Sequence, residues 1–178
     1  MNKKIIKKTK VKSERKNDLA VPRLEKIVIN VGVGRMSQQP NFTEKILPEI
    51  IRDFATITGQ KPALTSAKKS IAGFKTREGQ VVGMKATLRR QRMRDFLERL
   101  VKIALPRVKD FKGINLNNID SNGNLTIGLK ENVVFPEINP ELLKFDFGLE
   151  ISIVNNAKIK EEAIELYRKL GVPLKKHG

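Results

Sequence analysis

The sequence predicts an α+β fold: an antiparallel sheet with helices packed on one face and a polar face left open for a partner. Three observations predict it: apolar residues alternate with period two in four stretches, they recur with helical period in three others, and the two kinds of segment interleave along the chain. In the first strand Ile27, Ile29, Val31 and Val33 fall on one side, and Lys26, Val28, Asn30 and Gly32 on the other. The first helical stripe runs through Ile46, Leu47, Ile50, Ile51, Phe54 and Ile57 and closes at Gly59, with Pro48 tolerable only in a first turn or at a kink. A short strand around Ala63 to Thr65 and a longer one through Val82, Met84, Ala86 and Leu88 follow. The strictest helical stripe is Met93, Phe96, Leu97, Leu100, Val101 and Ala104, ending near Pro106, with Arg92, Arg94, Glu98, Arg99 and Lys102 on the wet side. Strands through Leu125, Ile127, Leu129 and through Phe147, Leu149, Ile151, Ile153 come next. A last helix carries Ile159, Ala163, Leu166, Tyr167 and Leu170, with Asn155-Asn156 as cap candidates and Gly171 as its stop.

No internal repeat and no Gly/Pro/Ser-rich linker divides residues 18–178, which read as one domain with a basic loop at 70–80. Residues 1–17 are too poor in apolar side chains to offset the entropy of ordering, and read as a flexible basic N-terminal arm.

Charge narrows the function. The 178 residues carry a formal net charge of +17, and nearly all of it sits in two places: +7 in residues 1–17 and +9 in residues 60–94. Cations confined to a tail and one block point to a polyanion footprint, with nucleic acid ahead of a membrane surface or simple solvation. The chain has no Cys and one His, His177, so thiol chemistry, zinc knuckles and iron–sulfur centres are excluded and no cofactor or metal is expected. No apolar run reaches the ~18 residues of a membrane span and no secretory signal pattern follows the basic start, which predicts a soluble cytoplasmic protein.

The open sheet face, if the alternation holds, presents Lys26, Asn30 and Gly32, then Gly83, Lys85, Thr87 and Arg89, then Asn124, Thr126, Gly128 and Lys130. Glycine admits close backbone approach, amides and hydroxyls bond 2′-OH groups and base edges, and cations neutralise phosphates. Such a face suits folded RNA. The Val31-Gly32-Val33-Gly34 segment lacks the third glycine of a dinucleotide fingerprint, no phosphate-loop or hydrolase motif occurs, and the acidic residues are scattered. An RNA-processing enzyme on this scaffold would need a convergent acid–base or metal site, and none is found.

Gly59 to Ser70 surrounds the paired Lys68 and Lys69 with short polar side chains, a composition able to clamp phosphates. The loop beyond it, tipped by Lys75 and Arg77, is long and basic enough to reach for a partner. Phe74 within it either stacks on a base or tucks beneath its own loop, the commoner arrangement for an aromatic.

Val21 to Gly34, Gly59 to Ser70, Ala72 to Lys75, Thr87-Leu88-Arg89, Leu105 to Gly113 and Phe135 to Ile138 closely resemble large-subunit ribosomal protein five, the bacterial 5S rRNA-binding family, in the family's order. The resemblance implies a non-enzymatic constituent of the large ribosomal subunit that binds 5S rRNA and large-subunit rRNA and helps form the central protuberance. It places 5S rRNA recognition on Asn30, Gln60 and Thr87, with basic support from Lys26, Lys68, Lys69 and Arg89. It further implies that the loop of Gly73, Phe74, Lys75, Thr76, Arg77 and Gly79 contacts peptidyl-site tRNA, and that small-subunit protein thirteen is met across the subunit interface, with no membrane involved. One departure stands out: the family usually opens with an amphipathic helix, where this chain has the short basic arm.

Overall fold

The computed structural model describes residues 21–175, so the basic segment 1–17 and His177 lie outside the described residues. Five strands form one antiparallel sheet in the order β2-β3-β1-β5-β4: β1 Leu24–Gly32, β2 Ala63–Ser66, β3 Val81–Leu88, β4 Leu125–Leu129 and β5 Leu149–Asn155. β1 is central because both its edges are used, Ile29 pairing with Ala86 on one side and with Ile151 on the other. The alternation therefore does what period two requires. Ile27, Ile29, Val31, Met84, Ala86, Leu88, Ile127, Ile151 and Ile153 point into one core, and each fully buried Ile or Leu contributes ~1.5–3 kcal/mol.

The helices cover that face. α1 (Leu47–Thr58) buries Ile50, Phe54 and Ile57. Pro48 sits in its first turn directly after a π turn over Phe42–Ile46, whose widened spacing accommodates the proline ring. Gly59 ends it at φ +68, donating its N–H to the Ala55 carbonyl at 2.8 Å. α2 (Arg90–Arg99) buries Met93, Phe96 and Leu97, and α4 (Lys160–Lys169) buries Ala163 and Tyr167. α4 carries Glu161 and Glu162 in its first turn and Arg168 and Lys169 in its last, which suits the helix dipole.

The second helical run ends near Pro106, as its stripe predicts: a π turn over Leu100–Ala104 follows α2, and the chain continues helically through α3 (Leu105–Arg107). The proline ring would crowd the carbonyl four residues back in a regular helix, and the widened turn accommodates it. Two expectations are corrected. Arg99 is not on the wet side. It is half-buried, spans the Phe96 ring at 6.0 Å, pairs with Glu137 and donates to the Ile57 carbonyl at 3.2 Å. Asn155 and Asn156 do not cap α4, whose preceding residue Ile159 makes no side-chain cap bond. Asn155, buried at the end of β5, donates to the Gly123 carbonyl at 2.6 Å and the Tyr167 hydroxyl at 2.8 Å, while Asn156 accepts from the Arg23 N–H at 2.6 Å.

Candidate nucleic-acid interface

Among the described residues no helix covers the second face of the sheet, and register sets what it displays. Lys85, Asn30, Glu150 and Gly128 run across β3, β1, β5 and β4 in one row; Thr87, Val28, Ser152 and Thr126 form the next. Asn30 and Thr87 are diagonal neighbours across the β1–β3 pair, close enough for one partner to meet both. Both are half-buried, as is Lys26 further along β1, while Lys85 and Arg89 are exposed. Gln60 lies outside the ladder. It follows the Gly59 cap, its backbone is tied to the Thr58 hydroxyl, and the chain then enters β2 with Ala63 opposite Lys85, so Gln60 stands toward the Thr87 end of β3.

Glycine positions on this face carry information of their own. A Cβ at Gly32 or Gly128 would meet nothing within 4 Å, and neither residue has a positive φ, so the interior does not require glycine there. Gly83 is different, since a Cβ would lie 3.1 Å from the Val31 carbonyl oxygen. Bare backbone at Gly32 and Gly128 leaves room for something outside the protein to come close.

The charge is as separated in space as in sequence. The ion pairs among the described residues are Arg52–Asp53, Arg99–Glu137, Lys102–Glu98 and Lys144–Glu49. None of them uses a cation from residues 60–94. With no acid within ion-pair distance of them among the described residues, the lysines and arginines of that block keep their field for a polyanion.

Lys68 and Lys69 do not join Asn30 and Thr87. β2 runs antiparallel to β3, with Ser66 opposite Val81, so the two lysines emerge at the far end of that pair. There they line a cavity of about 850 Å³ with Arg35, Phe74, Lys75 and Thr76. The predicted residues thus form two groups, Lys26, Asn30, Gln60, Thr87 and Arg89 along the sheet, and Lys68 and Lys69 with the 70–80 loop. That loop is ordered by its own bonds: a 3-10 turn over Ala72–Phe74 closes with Lys75 at φ 50, and Ile71 and Thr76 form a bridge. Gly73 and Gly79 lie on it and Arg77 at its exposed edge. Phe74 is not tucked beneath the loop. It is 71% exposed and lines the open cavity, with no side chain packed over its ring.

Sequence reasoning missed Glu150, Ser152 and Val154, which the alternation of β5 around Leu149, Ile151 and Ile153 would have supplied. It also missed Arg35 and Gln38, brought to the loop only by tertiary contact. Among the described residues no group of His, Asp or Glu side chains is placed to hold a metal ion, and no helix is long and apolar enough to cross a membrane.

Comparison with known proteins agrees in scope with this geometry. A family model described as ribosomal protein L5 matches residues 17–77, and a second, described as the C-terminus of the same ribosomal family, matches 81–174. The boundary falls at the loop, yet the sheet crosses it, since β1 pairs with β3 and β5. The chain is 46% identical over 169 residues to the large ribosomal subunit protein uL5 of Halothermothrix orenii, covering 95% of this chain and 92% of the relative. It is 48% identical over 162 residues to that of Moorella thermoacetica, covering 91% and 88%, and 49% identical over 161 residues to that of Dictyoglomus turgidum, covering 90% and 88%.

Proposed function

This chain belongs to the ribosomal protein L5 family, a structural and non-enzymatic component of the large ribosomal subunit, and on that premise we propose that it binds 5S rRNA through the open face of its sheet. The observation that carries the proposal is the diagonal placement of Asn30 and Thr87 across β1 and β3, on a face whose cations enter no ion pair among the described residues. Amide and hydroxyl groups read 2′-OH groups and base edges, and Lys26, Lys85 and Arg89 neutralise the phosphates around them. Gln60 extends the polar row, and the bare backbone at Gly32 and Gly128 lets the RNA settle against the sheet.

The 70–80 loop serves a second RNA. Exposed, basic and pre-ordered, it is suited to touch peptidyl-site tRNA from the central protuberance, where small-subunit protein thirteen is met across the subunit interface. The basic segment 1–17 threads against rRNA, and its deletion lowers both RNA affinity and ribosome incorporation. Residues 18–178 act as one unit, since strands from both sides of the loop share one sheet.

The test is binding to purified 5S rRNA against a size-matched control RNA over a salt series. The expected result is a steep salt slope and a loss of about 1–3 kcal/mol for each of Asn30→Ala, Gln60→Ala and Thr87→Ala, with little change on the control. Equal affinity for both RNAs, untouched by the three substitutions, refutes the proposal.

A further inference from the structure

The cavity beneath the 70–80 loop is unlike the sheet face, because its floor is apolar. Ile71 is 51% exposed and Phe74 71% exposed, and with Val82 they line a volume of about 850 Å³. Four cations, Arg35, Lys68, Lys69 and Lys75, stand around them, no acid lines the cavity, and none of the four enters an ion pair among the described residues. The exposed aromatic and aliphatic surface is costly in water, and the cations around it are left without a counter-charge. It fits a ligand that carries an apolar face and a negative charge together.

The cavity is also built in advance. Gln38 Nε2 donates to the Phe74 carbonyl at 2.8 Å, and Gln80 Nε2 donates to the Ser37 carbonyl at 2.9 Å, so two side-chain amides tie the loop to the turn that leaves β1. Within the loop the Ile71 and Thr76 backbones exchange bonds at 3.0 and 3.2 Å. A Cβ at Gly73 would meet nothing within 4 Å, so the rim beside Phe74 is open to close approach. A receptor held in shape by its own hydrogen bonds loses little entropy when it is filled.

We infer that this cavity is a receptor for a single nucleotide extruded from an RNA helix, its base on Phe74 and Ile71 and its flanking phosphates on Lys68 and Lys69. A paired helix offers phosphates but keeps its base faces stacked, so it reaches the cations and leaves the apolar floor wet. An unstacked nucleotide satisfies both. The volume accommodates one base and its sugar and lies within the range of small-ligand sites. The inference rests on the RNA-binding reading above and adds what the loop distinguishes: an extruded base from a paired one.

The test uses the full chain and two RNA hairpins of equal length, one with a single bulged 2-aminopurine and one with that nucleotide paired. The bulged hairpin should bind roughly tenfold tighter, in line with one stacked base, and its 2-aminopurine fluorescence should change on binding. Phe74→Ala together with Ile71→Ala should abolish the preference without moving the thermal midpoint, since both side chains are exposed. Lys68→Ala and Lys69→Ala should weaken both hairpins alike and each lower the salt slope by about 1. Equal affinity for the two hairpins overturns the inference, as does a preference that survives the double substitution or displacement of the bulged hairpin by an acidic apolar peptide. Asn30→Ala separates the two readings. It should weaken 5S rRNA binding and leave the bulge preference intact; loss of the preference in Asn30→Ala overturns the separate receptor, whereas an unchanged 5S rRNA affinity overturns only the sheet-face reading.

Discussion

The two faces of the sheet are built from the same five strands and share every backbone hydrogen bond, yet they differ in almost every other property. On one, Ile27, Ile29, Leu88, Ile151 and Ile153 are fully buried under α1, α2 and α4. On the other, one residue along in each case, stand Lys26, Asn30, Thr87 and Ser152, half-buried and uncovered. Stability is concentrated on the first face and recognition on the second, and a step of one residue moves a substitution between them.

The largest effect expected from that contrast is on the covered face. Phe54→Ala removes a fully buried ring from α1 and should cost about 3–5 kcal/mol in denaturant unfolding, with an unchanged slope. A smaller cost would mean that α1 is less essential to the core than its burial implies.

An alkaline titration sharpens the contrast next. Tyr167, the single tyrosine, lies on the covered side, and burial pushes its phenol up to about 12 against an ordinary value near 10, with Asn155 donating to its oxygen as the opposing influence. The native state holds this proton more tightly than the unfolded chain. Its contribution to stability is therefore complete below about pH 10 and lost as the pH rises toward 12. Tyrosinate absorbance followed with circular dichroism should show ionisation and unfolding together; ionisation near pH 10 with the fold intact would show the hydroxyl to be freely accessible.

The smallest effects come from two glycines. A Cβ at Gly123 would sit 2.7 Å from that of Ala163, and the residue holds φ +80, so Gly123→Ala should destabilise by more than ~1 kcal/mol. Gly32→Ala should instead raise stability by about 0.4–1 kcal/mol while weakening 5S rRNA binding, because the added methyl is tolerated by the protein and meets the RNA. A stabilised variant that bound RNA as well as before would break the link between bare backbone and close approach.

Much of this division was legible in the sequence. The alternation around Ile29 and Met84 separates the faces without any knowledge of the sheet order, because side chains in a strand have only two directions available. Confinement of the charge to residues 1–17 and 60–94 pointed to a polyanion for a similar reason: charge is a sum, and needs no geometry. Arg99, Asn155, Asn156 and Phe74 were not legible. A long guanidinium stem can lie over a ring or reach for water, an asparagine can cap a helix or bind a carbonyl across the fold, and an aromatic in a loop can lie inside or out. Local sequence is the same in each case, and the partner that decides is tens of residues away, as Glu137 is from Arg99 and Gly123 from Asn155.

By itself, then, the sequence determined the strands, the principal helices, the face each strand buries and the placement of positive charge, since all of these follow from periodicity and composition within a short window. Only the tertiary structure decided that Lys68 and Lys69 part from Asn30 and Thr87, that Arg35 and Gln38 join the loop instead, and that an apolar floor lies among those cations. The antiparallel register of β2 on β3 sends the chain to the opposite end of the sheet within a few residues, and register is a property of paired strands that no single segment contains.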